Sequence, residues 1–171
     1  NSGTKIINNS GSVTLGENSV FIYSDGGTEI LNKAGSDILI TGSDSSGIYA
    51  VNGVNIENHG NISASTGAGN MGISSKGGNI FNTGNIETGD SIIVDEEKTF
   101  LNTYSVGIYG ENVEDFKNTG NIETGYRGVG LYIKNNAGEA LNSGDIKSSK
   151  EGAMGIYAEK STVKNTGNIT M

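Results

Sequence analysis

Two glutamates stand at matching places in a repeated phrase. The phrase NTGNIETG occupies residues 82–89 and again 118–125, which makes Glu87 and Glu123 equivalent. A close pair of carboxylates is the arrangement that glycoside hydrolysis uses, and carboxylates are also ligands for calcium. Lys147 takes the next equivalent place, and the calcium-binding text G-G-x-G-x-D is absent. We therefore expect solvated surface carboxylates at these positions and no bound metal.

The other reactive side chains are few. His59 is the only histidine, Arg127 is the only arginine, and cysteine is absent. With one histidine and no cysteine, we expect neither a zinc site nor a Ser-His-Asp triad of convincing geometry. His59 takes the variable second place of NHGNI and Arg127 lies in the turn text ETGYRG, so we expect both at the surface. The sequence thus predicts no catalytic residue, no cofactor and no enzymatic activity, with a polysaccharide-degrading β-helix enzyme as the alternative.

The charge balance excludes further classes. The 171 residues carry 11 basic and 19 acidic side chains, a net charge of −8. Nucleic acids and anionic membranes bind basic patches, so neither is an expected partner. No apolar run approaches the roughly 20 residues that span a bilayer, so we expect no direct insertion of this segment into a membrane.

A repeat with a period of about 24 residues organises the whole chain. The phrase N-x-G-x-I recurs, with small variations, from Asn9, Asn32, Asn58, Asn82, Asn118, Asn142 and Asn165. A strand-like phrase such as VGIY lies midway through each unit, and a short apolar phrase precedes each new asparagine. The pattern predicts an all-β fold with three short strands per unit.

Period-two alternation assigns the faces of these strands. In MGIY it places Met154 with Ile156 on the inner side and Gly155 with Tyr157 on the outer side. Each unit then offers only three to five inward apolar residues. Their burial, at about 25 cal/mol per Å², yields a few kcal/mol, against roughly 1–2 kcal/mol of ordering cost for each residue. The units must therefore stack into a β-solenoid, where each strand pairs above and below.

Recurrent asparagines and glycines are expected at the corners of the coils. Stacking would align Asn32, Asn58, Asn82, Asn118, Asn142 and Asn165 in one column whose amides hydrogen-bond along the axis. Asparagine also tolerates left-handed backbone. Glycines two residues later, Gly60, Gly84, Gly120, Gly144 and Gly167, are predicted to supply positive φ at a sharp corner.

This text of NTGNI, GIY and apolar-x-Asn phrases resembles the passenger regions of autotransporter adhesins, particularly the very large fusobacterial ones. The resemblance covers nearly all of residues 1–171. It implies a right-handed parallel β-helix, a segment of a longer passenger displayed on the outer membrane of a bacterium. It also implies non-catalytic attachment to host cells or other bacteria, through a surface protein or glycan. We expect this segment to be a monomeric rod.

Two places are candidates for binding. The spacing lengthens from 24 to 36 residues at an insertion within residues 87–106, and solenoids commonly mount binding surfaces on such insertions. The candidates there are Ile92, Ile93, Asp95, Glu96, Glu97, Phe100 and Tyr104. The second place is an outward column of tyrosines, Tyr23, Tyr49, Tyr109, Tyr132 and Tyr157, interrupted at Ser74. Structural stacking of these rings and a platform for sugar rings are both open interpretations.

Overall fold

Three short strands in each repeat build three parallel sheets that wind around one apolar interior. The computed structural model describes residues 4–8, 10–27, 29–92 and 104–171. Over these residues the chain is all-β, a solenoid of about 6 turns with about 25 residues and three strands per turn. In the described part of the chain, no helix has the length and hydropathy that crossing a membrane requires.

Equivalent strands of successive coils lie side by side in each sheet. Sheet A contains β1 (Lys5–Asn8), β4 (Glu29–Asn32), β7 (Asn55–Asn58), β10 (Ile80–Asn82), β13 (Phe116–Asn118), β16 (Glu139–Asn142) and β19 (Thr162–Asn165). Sheet B contains β2 (Gly11–Leu15), β5 (Ser36–Ile40), β8 (Asn61–Ala64), β11 (Ile86–Thr88), β14 (Ile122–Glu123), β17 (Ile146–Lys147) and β20 (Ile169–Thr170). Sheet C contains β3 (Val20–Asp25), β6 (Ser46–Val51), β9 (Met71–Lys76), β12 (Val106–Glu111), β15 (Val129–Lys134) and β18 (Met154–Glu159).

The core repeats with the coil. In the middle coils, one large apolar residue per sheet points inward and is almost fully buried, as in the set Ile80, Ile86 and Ile108. The next coil repeats this arrangement with Phe116, Ile122 and Leu131. Because the registers pair equivalent positions, each layer packs on the apolar side chains at the same places in the layers above and below. The predicted stacking is confirmed.

The asparagine column is a buried hydrogen-bonded ladder. Each amide Nδ2 donates to the Oδ1 of the asparagine in the following coil, over 2.7 Å from Asn82 to Asn118 and 2.6 Å from Asn118 to Asn142. The same Nδ2 also donates to the carbonyl two residues later, such as Gly120 O at 2.8 Å. The ladder runs from Asn8 through Asn32, Asn58, Asn82, Asn118 and Asn142 to Asn165. Asn8, and not Asn9, is therefore the equivalent residue in the first coil.

The five glycines predicted to have positive φ do not adopt it, so that prediction is wrong: Gly60, Gly84, Gly120, Gly144 and Gly167. The reason for glycine is space. A Cβ on Gly120 would overlap the carbonyl oxygen of Gly84 and come within 2.9 Å of Asn82 Nδ2. Corner glycines in consecutive coils thus lie backbone against backbone. No side chain fits between them.

Left-handed backbone occurs instead at the corner after each sheet C strand. The residues there share one place in the coil and all have φ between 48° and 86°: Gly26, Asn52, Gly77, Asn112, Asn135 and Lys160. The ladder asparagines are not among the residues with positive φ. The tolerance of asparagine for this conformation is therefore used at a different corner from the one predicted.

The glycine at the second position of five of the six sheet C strands faces the core, contrary to the predicted alternation. A Cβ on Gly107 would come within 2.6 Å of Ile122 Cγ2, and one on Gly155 would approach Ile169 Cγ2 equally closely. Ile108 is also in the core, whereas Val106 is buried outside the core cluster. The predicted grouping of Gly155 with the outward Tyr157 is therefore wrong, because strict alternation does not extend through this glycine.

Candidate functional site

The outward face of sheet C carries a surface of tyrosines bordered by charged residues. Tyr109, Tyr132 and Tyr157 are paired in register across three coils. Their ring centroids are 5.1 Å and 4.8 Å apart, and neighbouring rings meet edge to face at 87° and 82°. This geometry is favourable for aromatic pairs, because the positive edge of one ring meets the negative face of the next. We call these three residues, with Glu111, Lys134 and Glu159, the tyrosine surface.

The charged members of the tyrosine surface form a row beside the rings. Lys134 Nζ lies 3.7 Å from Glu111 Oε1 and 3.9 Å from Glu159 Oε2. Tyr109 donates its hydroxyl hydrogen bond to Glu111 over 2.9 Å, and Tyr132 donates to Glu159 over 3.4 Å. Each of these half-buried ion pairs, with N–O distances of 3.7 Å and 3.9 Å, contributes only modestly to stability. The ion pairs hold the two carboxylates in place, and the hydrogen bonds to these carboxylates orient the hydroxyl groups of Tyr109 and Tyr132.

Two phenols of this surface, those of Tyr109 and Tyr132, have a pKa raised above the ordinary value for tyrosine. Burial is the largest cause of the raised pKa of Tyr109, and the hydrogen bond to Glu111 raises that pKa further. Burial also raises the pKa of Tyr132, followed by the negative charge of Glu159. Both effects disfavour a phenolate. The surface therefore presents neutral aromatic rings next to fixed carboxylates, a combination suited to sugar rings or to polar, aromatic protein surfaces.

The tyrosine column is divided into two groups. Tyr23 and Tyr49 stack nearly parallel, with centroids 5.6 Å apart and planes inclined by 22°. Ser74 pairs in register with both Tyr49 and Tyr109, and so separates the first group from the tyrosine surface. The predicted column and its single gap are confirmed. The row of carboxylate and ammonium groups was not predicted from the sequence, although each of its members follows a tyrosine by two residues on the same face.

The insertion leaves the coil after Ser91 and rejoins it at Ser105. Ser91 Oγ accepts a hydrogen bond from Ser105 N–H over 3.0 Å, and Ser105 Oγ donates to Asp90 O over 2.7 Å. The two residues that flank the insertion, Ser91 and Ser105, are thus hydrogen-bonded to each other. Ser91 and Ser105 therefore belong to the coil, and Glu87 and Val106 belong to strands. We call the residues between the two serines, 92–104, the excursion.

Most of the predicted binding residues of the insertion lie outside the described part of the chain. They are Ile93, Asp95, Glu96, Glu97 and Phe100. Ile92 is half-buried at the start of the excursion, and Tyr104 at its end is 44% exposed. The structure therefore brings together the tyrosines of the column and leaves the role of the insertion a prediction.

The two equivalent glutamates lie side by side on the outward face of sheet B. Glu87 pairs in register with Glu123, and Glu123 pairs with Lys147. Lys147 Nζ is 2.9 Å from Glu123 Oε2, and Glu87 Oε2 accepts a hydrogen bond from Ser63 over 3.0 Å. The Glu123 carboxylate raises the pKa of Lys147. Among the described residues, no group of three or more histidine, aspartate or glutamate side chains could hold a metal ion.

Comparison with known families gives one match. The sequence model of the BigA third pectate lyase-like domain matches residues 64–151, the part of the chain that contains both glutamates and the tyrosines at 109 and 132. No curated protein and no solved structure shows a significant match to the chain.

Proposed function

Because the chain belongs to the family of the BigA third pectate lyase-like domain, we propose that it is a surface-exposed β-solenoid segment of a bacterial adhesin. BigA is an autotransporter-like adhesin. On this proposal the segment lies in a passenger displayed outside the outer membrane, and it attaches to host cells or to other bacteria without catalysis. Its partner is a protein or a glycan of those surfaces.

The observation that carries the proposal is the tyrosine surface. Three tyrosines in consecutive coils form one continuous outward patch, in which Tyr157 is 42% exposed. Tyrosines are enriched where proteins bind partners, because a rigid ring buries a large apolar area and its hydroxyl still forms hydrogen bonds. The adjoining carboxylates add acceptors for hydroxyl or amide groups of a partner.

Adhesion can be tested with the purified chain immobilised on beads. We expect the beads to bind cultured epithelial cells or bacterial cells, and we expect Tyr109→Ser with Tyr132→Ser to reduce binding at least fivefold. Serine is compatible with this place because Ser74 occupies it in another coil. Tyr126→Ser, at a corner outside the tyrosine surface, is the matched control. Failure of the unaltered chain to bind would contradict the adhesive function, and full binding by the double variant would remove the tyrosine surface from it.

A polysaccharide-degrading enzyme is the second candidate, favoured by the pectate lyase-like character of the family. Its catalytic pair would be Glu87 and Glu123, whose backbones are adjacent in sheet B at the usual strand spacing of about 4.8 Å. Turnover of polygalacturonate or glycosaminoglycans that disappears in Glu87→Gln or Glu123→Gln would favour the enzyme over the adhesin. Turnover retained in both variants would exclude this pair as the catalytic residues.

A further inference from the structure

A groove lined mainly by polar residues runs along the solenoid axis on the outward face of sheet B. It has a volume of about 430 Å³ and extends over four coils, from Asn61 to Lys147. The register of sheet B places Asn85 and Asn121 on one side of the buried isoleucines, as one wall, and Glu87 and Glu123 on the other side, as the second wall. The isoleucine of each intervening position points into the core, so backbone forms the floor between the walls. The groove lies on a different sheet from the tyrosine surface.

The asparagine wall presents unused hydrogen-bond donors. Asn85 Oδ1 accepts from Asn121 N–H over 3.3 Å, and Asn121 Oδ1 accepts from Asp145 N–H over 3.1 Å. These bonds fix each amide with its oxygen toward the next coil. Among the described residues the Nδ2 groups of Asn85 and Asn121 have no hydrogen-bond partner, and both side chains are exposed. Two oriented NH₂ groups therefore face solvent, one coil apart.

The opposite wall presents acceptors. Glu87 uses one carboxylate oxygen for Ser63, and Glu123 uses one for Lys147, so each retains an oxygen outside those contacts. Including Asp145, three carboxylates and one ammonium line the groove. The negative excess opposes a polyanionic ligand such as pectate. A polycation would gain nothing from the amide donors on the other wall.

A chain of neutral hydroxyl groups fits both walls, because a hydroxyl donates and accepts at once. The donors and acceptors repeat at the spacing of the coils, about 4.8 Å, which suits an extended polymer lying along the axis. We propose that this groove binds a linear, uncharged polysaccharide, with the amides of Asn85 and Asn121 donating to its oxygens and the carboxylates of Glu87 and Glu123 accepting from its hydroxyl groups. The groove does not depend on the tyrosine surface, so each site can fail its test without affecting the other.

Titration of the purified chain followed by NMR tests the proposal. We expect cellohexaose or maltohexaose to shift the side-chain NH₂ resonances of Asn85 and Asn121 in a saturable manner. Hexagalacturonate, of equal length and charged, is expected to shift them at least tenfold less at equal concentration. The two neutral probes separate β-linked from α-linked glycans, and saturable binding of either supports the proposal.

The matched variants are isosteric. Asn85→Asp with Asn121→Asp keeps the oxygen that accepts the next coil's N–H but removes the NH₂ donors, and Asp145 shows that aspartate serves this role, since it accepts from Asn168 N–H over 2.9 Å. We expect the double variant to bind the neutral hexaose at least fivefold more weakly. Asn79→Asp is the control, because Asn79 accepts from Asp115 N–H in the same way outside the groove.

Three results would overturn the inference. The first is no saturable shift with either neutral hexaose, and the second is equal binding by the double variant and the unaltered chain. The third is tighter binding of hexagalacturonate or of hexalysine than of both neutral hexaoses, which would assign the groove to a charged partner.

Discussion

At the scale of single residues, the buried asparagine ladder connects the coils through side chains. Asn118 accepts from Asn82 and donates to both Gly120 O and Asn142 Oδ1, all without access to water. Buried amides cannot exchange a lost partner for water. Each coil's ladder residue therefore depends on the coils on both sides.

Asn118→Ala should lower the free energy of unfolding by about 3 kcal/mol, since each buried polar group left without a partner costs roughly 1–3 kcal/mol. Urea unfolding followed by circular dichroism measures the change. Asn79→Ala is the control, because its exposed amide accepts only from Asp115 N–H and water can replace it. We expect that control to lose about 1 kcal/mol or less. Equal losses in the two variants would contradict the role assigned to the ladder.

Tyr109 gives the fold a dependence on alkaline pH. Its pKa is raised in the folded chain, so the folded state holds the phenol proton more tightly than the unfolded state. The resulting stability is present below the unfolded pKa of about 10 and is lost as pH rises above it. Unfolding free energies between pH 8 and pH 12 should therefore fall less steeply for Tyr109→Phe than for the unaltered chain. Parallel curves across this range would rule out the linkage.

At the scale of structural elements, the corner after sheet A depends on contact between glycine backbones. Gly120→Ala should lower stability by about 3 kcal/mol, the upper end of the overpacking range, because the obstructing atoms are backbone and cannot change rotamer. Gly16→Ala is the matched control, since a Cβ there meets no atom within 4 Å. The control should be neutral or slightly stabilising. Thermal unfolding of both variants measures the difference, and a tolerated alanine at residue 120 would contradict the close approach.

The stacking of the coils could be predicted from the sequence, but the role of the corner glycines could not. The period placed Ile86 over Ile122 and Asn82 over Asn118 correctly, because identical stacked layers require identical text. The same text could not reveal why Gly120 is a glycine, since positive φ and close approach select the same residue. Nor could it reveal the groove of sheet B, because the free Nδ2 groups depend on which way each amide is fixed by the coil above.

At the scale of the whole molecule, the solenoid tolerates the insertion because the chain returns to the place it left. Asn70 is the third residue after Gly67, and in the next coil Ser105 would be the third residue after Gly89 if residues 92–104 were absent. Without residues 92–104, the coil that carries the insertion would thus have the same number of residues at this corner as the coil before it. The excursion is an addition to a complete layer.

Deleting residues 92–104 should leave the β-sheet circular dichroism unchanged and shift the urea midpoint only slightly. A deletion of residues 92–107 is the control, because it also removes the first residues of β12 and their pairing with β9 and β15. That control should unfold at a clearly lower urea concentration. Loss of β structure in the shorter deletion would show that the excursion is required for the fold.

The hydrogen bonds of the asparagine ladder all point the same way, from each amide to the coil that follows. Aligned amides add their dipoles, as the peptide groups of a helix do. The solenoid therefore has an electrical polarity along its long axis, with partial negative charge toward Asn8 and partial positive charge toward Asn165. An anionic group is therefore better accommodated near the coil of Asn165 than near the coil of Asn8. Coils with similar sequences thus differ in the electrostatic potential around them.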